Sequence, residues 1–153
     1  MNIIKLFLVM DNRNKRLFFE AFIYLGWARY LKFLPFNQVL SRLGLVIGET
    51  SVNRKNQKKD LILISNAINI VSKYTFWESQ CLVKALAGMK MLELRGIEST
   101  IYLGTAKDNN DRLIAHAWLR SGDIYISGQE SMEKFTVVGK FAKKIIKHEG
   151  AQV

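Results

Sequence analysis

The chain has 153 residues, of which 49% are hydrophobic, with one proline and ten glycines, a composition that supports one packed domain and excludes a disordered segment. The single cysteine, Cys81, excludes an internal disulfide framework and a multi-cysteine zinc site, and fits a reducing cytosol. The formal charge of +10 is uneven, because residues 1–60 hold eleven basic and four acidic side chains, a bias suited to an acidic partner or surface.

No zinc-finger, helix-turn-helix or RNA-binding signature accompanies that charge, so no nucleic-acid partner is assigned. The longest uncharged run is the twelve residues from Leu61 to Ser72, short of the roughly 20 apolar residues that span a bilayer. The opening MNIIKLFLVMDNRNKR places most of its basic residues after a short apolar run and lacks a small-residue cleavage site. A secretory signal has the opposite order, so a cytoplasmic location is expected.

In chain order, residues 15–34 carry apolar side chains at 17, 21, 24, 28 and 31 and at 18, 22 and 25, which predicts a helix with a broad buried stripe. Pro35 ends it, and Asn37 is the expected cap of a shorter helix that runs through Leu43 and stops at Gly44. The polar stretch 48–59 reads as a connector, with Asp60 capping the next helix, LILISNAINIVSKY. We therefore expect an N-terminal helical extension over 1–59 and a core over 60–153.

From Ser79, taken as a cap, Leu82, Ala85, Leu86, Met89 and Leu92 mark an amphipathic helix that Gly96 stops. The period then changes: 99–104, 113–120, 123–127 and 135–141 read as strands, with Ser121-Gly122 as a hairpin turn. Helices followed by an antiparallel sheet make an α+β layout. The basic run KFAKKIIKH after residue 139 is expected to form a terminal surface helix. The loop at 104–112 has acidic residues but neither the spacing nor the closing glutamate of a calcium loop, so no metal is assigned.

The chemistry rests on two residues. Cys81 falls in the first turn of its helix, where unpaired N–H groups and the positive dipole end favour thiolate. His116 lies in AHAWLR, alternating with Ile114 and Trp118 on one strand face while Ala115, Ala117 and Leu119 take the other. Either alone reads as core: a buried thiol is usually a small hydrophobe, and a lone histidine is usually a satisfied one. Together, a cysteine opening a helix and a histidine on a following strand have the separation in sequence that a nucleophile and its base need.

The ordered set of EAFIYLGWARYLKFLPF, CLVKALAGMKMLELRGI, IYLG, AHAWLRSGDIYISG and FTVVGKF resembles the transglutaminase-like cysteine peptidases, and within them the leader peptidases of lasso-peptide biosynthesis. The short length resembles the stand-alone peptidase of systems in which a separate small protein recognises the leader. The resemblance implies a transglutaminase-like, papain-like core behind a helical extension, and a Cys-His-acid site that cuts a precursor peptide between leader and core. It implies Cys81 as nucleophile and His116 as base. The implied partners are the precursor, a small leader-recognition protein and the lasso cyclase; no cofactor is implied.

Many members of that group place an aspartate twelve residues after the histidine, and here that position is Gly128. Asp123 is the nominal acid. With a Ser121-Gly122 turn, however, His116 pairs with Ser127 and Asp123 lies four residues along the partner strand, roughly 14 Å away at about 3.4 Å per residue. Ser127, Glu130 or a backbone carbonyl are the alternative partners of the imidazole, and Asp123 is equally a plain turn residue. The N–H of Cys81 and the amide of Gln80 are candidate oxyanion donors. Trp77 and Trp118 are candidate cleft walls, and their apolar bodies suit a core equally well. Two rivals remain, an acyltransferase in which an amine resolves the acyl-enzyme, and a non-catalytic binding module.

Overall fold

In a computed structural model, residues 2–52, 57–76 and 80–145 are described. The chain runs through helices α1 (Ile3–Val9), α2 (Asn12–Lys32) and α3 (Phe36–Leu43), a two-residue strand β1 (Val46–Ile47), and helices α4 (Lys58–Val71) and α5 (Cys81–Glu93). Strands β2 (Ser99–Lys107), β3 (Leu113–Ser121), β4 (Ile124–Ser127) and β5 (Thr136–Lys143) follow, with a 3₁₀ turn at Gln129–Lys134 before the last. This is an α+β architecture, as the change of period predicts.

Helix α2 begins where the Asp11 carboxylate accepts the Asn14 N–H at 3.3 Å, satisfying one of the donors a helix start leaves open. Its buried face is Leu17, Ala21, Leu25, Ala28 and Leu31, and these join Ile64, Ile68, Leu86, Met89 and Leu92 in one core cluster. The helices expected of an extension thus share their core with α4 and α5, and β1 adds a strand to the sheet beside β5. The expected division at 59/60 follows a connector of which residues 53–56 lie outside the described residues.

Several caps differ from expectation. Helix α3 starts one residue after Pro35, whose fixed φ suits a helix entry, so Asn37 sits inside the first turn and accepts the Gln38 N–H. Asp60 likewise lies inside the first turn of α4, 3.5 Å from Arg13, rather than at its cap. Gly44 (φ 62) and Gly96 (φ 67) close α3 and the α5 turn in the left-handed region, as a C-terminal glycine does. Helix α1, within the opening apolar run, was not predicted. Strand β5 continues through Lys143 instead of the expected terminal helix, and the remainder of that run from residue 146 lies outside the described residues.

The sheet order is β1-β5-β2-β3-β4, all neighbours antiparallel. Leu119 of β3 and Ile126 of β4 meet α5 at Gly88, where a Cβ would stand 2.9 Å from Leu119 Cδ2; the helix lies this close to the sheet because position 88 has no side chain. The β3–β4 turn is Gly122-Asp123, with Gly122 at φ 58 and Ser121 paired to Ile124, one residue later than predicted. A bulge between Leu119 and Arg120 then pairs Leu119, not His116, with Ser127. No described helix is long and apolar enough to cross a membrane.

Candidate active site

Helix α5 opens at Cys81 with Gln80 in the cap position, and among the described residues no side chain caps it. Its first intrahelical donor is Lys84, bonded to the Gln80 carbonyl, so the N–H groups of Cys81, Leu82 and Val83 face outward from the positive end of the helix dipole. Cys81 is half-buried. It lines a groove of about 360 Å³ whose other walls include Gln80, Leu103, Thr105, Ala115, Ala117 and His116. Small residues at 115 and 117 leave the space.

His116 reaches this groove from a particular stretch of β3. The last β4 partner is Ser127 opposite Leu119, so from 118 back to 113 the strand has no β4 neighbour. Alternation turns Ala115, Ala117 and Leu119 toward α5 and turns His116, Trp118 and Arg120 to the other face. There the imidazole packs between the Trp118 ring (centroids 5.8 Å apart) and the Phe135 ring (4.9 Å). Gly104, directly opposite His116 in the ladder, has no room for a side chain: a Cβ would lie 2.8 Å from Phe135 Cβ and 2.9 Å from the Trp118 ring.

Its Nε2 lies 2.6 Å from the carbonyl oxygen of Gly128. A carbonyl only accepts, so Nε2 carries the hydrogen and donates, which makes Nδ1 the acceptor of the neutral ring. Gly128 adopts φ 80, and a Cβ there would stand 2.4 Å from the Ala117 oxygen and 2.8 Å from Trp118 Cβ. The position twelve residues after the histidine therefore serves the imidazole with its backbone, in a conformation that excludes side chains.

Asp123, the nominal acid, is exposed in the turn at the far end of the hairpin, six to seven residues along β3 from His116, or roughly 20 Å at about 3.4 Å per residue. The register shift that moved the turn lengthened this separation, and Asp123 does not reach the ring. Ser127 is buried with its Oγ unpartnered among the described residues. Glu130 is exposed on the 3₁₀ turn. Neither takes the place of the Gly128 carbonyl.

Trp118 is not a groove wall. It is 4% exposed and stacks at 5.6 Å on Tyr102 behind the imidazole. Gln80 does border the groove, with its Oε1 accepting from Lys32 Nζ at 3.3 Å. Trp77 and Ser79 lie outside the described residues. No hydrogen bond joins Cys81 to His116 among the described residues; both residues border the groove, while the imidazole itself lies on the sheet face turned away from α5.

Behind Trp118, Arg120 is 6% exposed and donates to Tyr102 Oη at 2.8 Å, to the Thr50 carbonyl at 3.0 Å and to the Gly122 carbonyl. Burial raises the Tyr102 phenol above its ordinary pKa. The hydrogen bond from Tyr102, followed by that from Lys140, lowers the Glu49 carboxyl. This network ties the 48–52 connector across the sheet face that carries His116 and fixes the surface against which the ring rests.

A half-buried thiol thus stands at the start of a helix packed on an antiparallel sheet, and a histidine stands on that sheet. The model of the transglutaminase-like superfamily matches residues 29–140, and the chain belongs to that superfamily. Its members are typically cysteine proteases or acyltransferases. No curated protein and no solved structure matches the chain.

Proposed function

We propose that this protein is a cysteine peptidase that removes the leader from a ribosomally made lasso-peptide precursor. The observation that carries the reading is the shared groove: the chain's one thiol and its partner histidine line it together, on a superfamily fold used for acyl transfer. The ordered motifs that resemble lasso leader peptidases supply the finer substrate class.

In this reading the Cys81 thiol gives its proton to His116 Nδ1 and attacks the scissile carbonyl, breaking its π bond as the C–S bond forms. The N–H groups of Cys81 and Leu82 receive the oxyanion. The imidazolium returns the proton to the leaving amine as the C–N bond breaks, and water, deprotonated by His116, then releases the acid from the thioester. The Gly128 carbonyl takes the place of the aspartate: it fixes the tautomer but carries no full negative charge. The ring and the thiol are unbonded at rest, so the first transfer needs the ring to approach across the open edge of β3, a tightening that substrate binding commonly supplies.

A second reading has specific support. Gly128 where other members carry an acid, and an imidazole enclosed by Trp118 and Phe135, fit a binding module that has kept the fold without the chemistry. Mass spectrometry of a leader–core precursor, incubated with the protein and a leader-recognition partner, separates the readings. Hydrolysis at the junction that Cys81→Ala and His116→Ala both abolish supports the peptidase; an amine adduct at the new carboxyl supports an acyltransferase; an unreacted peptide with unlabelled Cys81 in iodoacetamide supports the module.

A further inference from the structure

Helix α2 is apolar on two opposite faces. Phe19, Phe22, Ile23, Gly26, Tyr30 and Phe33 follow one another at steps of three, four or one residues, and at 3.6 residues per turn they fall within an arc of roughly 100°, centred opposite the buried Leu17, Ala21, Leu25 and Ala28. The five side chains of this outer stripe are between 38% and 74% exposed. A helix apolar all round is normally buried all round, and an arc this narrow has the width of a helix-pairing seam.

Two concavities lie along the stripe, one of about 230 Å³ bordered by Phe19 and Phe22 together with Phe7 of α1, the other of about 400 Å³ at Gly26, Tyr30 and Phe33. The same wheel puts Arg16 on one flank and Arg29 on the other, with Lys15 at the N-terminal end beside Phe7. The acidic residue of the helix, Glu20, lies toward the core and is bonded to Arg95 at 2.7 and 2.9 Å.

The geometry points to the outer face of α2 as a docking seam for an acidic amphipathic helix of another polypeptide, one with an apolar stripe and carboxylates beside it. Charge decides among occupants. A second copy of this chain would bring two bodies of +10 together on their basic sides. An anionic bilayer is satisfied by charge and apolar area alone, whereas an apolar arc of roughly 100° along a single helix is the width that one partner helix covers. The inference does not depend on the peptidase reading, because it concerns binding and not turnover.

The test uses the full chain and two fluorescent 18-residue model helices, with leucines on one face and either glutamates or lysines on the rest, read by anisotropy at about 0.1 M salt. The glutamate helix binds, the lysine helix does not, and Phe19→Ser with Tyr30→Ser weakens binding at least roughly tenfold. Leu113→Ser, an exposed leucine on β3 away from the seam, leaves it unchanged, and circular dichroism shows all variants folded. The inference is overturned if neither helix binds, if the lysine helix binds as well, if the double variant binds normally, if phosphatidylglycerol vesicles capture the chain while the peptide does not, or if sedimentation shows a dimer that the double variant dissolves.

Discussion

Gly128 is the residue at which stability and the proposed chemistry meet, and Gly128→Ala perturbs both. At φ 80 an L-residue is held in the left-handed region at a cost of about 1–2 kcal/mol. The added Cβ meets the Ala117 oxygen at 2.4 Å and Trp118 Cβ at 2.8 Å, where backbone and a packed ring must move; overpacking of this sort costs about 1–3 kcal/mol. The sum, about 2–5 kcal/mol, corresponds to a fall in Tm of roughly 4–20 °C for a chain of this size. Thermal unfolding followed by circular dichroism measures it. The same movement displaces the carbonyl from His116, so long-range ¹H–¹⁵N spectra of the imidazole should show the Nε2–H tautomer in the wild type and a mixture in the variant. A Tm within about 2 °C of wild type, or an Nδ1–H tautomer in the unaltered protein, refutes the reasoning.

Gly88→Val should push α5 off the sheet at Leu119 and Ile126 and destabilise by about 1–3 kcal/mol, measured in urea. Arg120→Lys should fall well short of wild-type stability, by about 2 kcal/mol or more, because one ammonium cannot replace a guanidinium fork shared among Tyr102, Thr50 and Gly122; denaturant midpoints equal to wild type would count against the network. The lowered Glu49 carboxyl contributes stability that is present above the unfolded carboxylate range and lost as pH falls through the folded value. Wild type should therefore exceed Glu49→Gln in stability near pH 7, with the difference shrinking toward pH 3. The raised Tyr102 phenol acts in the opposite sense, stabilising below the unfolded value near about 10 and ceasing to do so as pH rises through the folded one; Tyr102→Phe should flatten that alkaline decline.

The α+β order, the α5 helix, the four later strands and the stops at Gly44 and Gly96 were legible because period and terminal glycines are local signals. Hairpin register was not. Gly122 takes the positive φ at the first central position of the turn, and the bulge at Leu119/Arg120 absorbs a residue; a bulge depends on neighbouring strands and leaves no mark in the run of side chains. That one shift moved Asp123, already about four residues from the imidazole in the expected register, farther still and detached His116 from β4. The Gly128 carbonyl is a backbone group, invisible to any search for acidic side chains. Its signal was the glycine itself, standing at the end of a strand twelve residues after the histidine. Trp118 suits a cleft wall and a core equally well in the sequence because alternation gives its face but not what packs on that face; Tyr102 and Arg120 fill it.

The most direct measurement of the central claim is intact-protein mass spectrometry with a leader–core precursor carrying an activated ester at the junction. The account predicts a stoichiometric thioester on Cys81 that forms in wild type, is absent in Cys81→Ala, and turns over to the free acid only when His116 is present. A precursor left whole, with Cys81 unacylated in the folded wild-type protein, would contradict it.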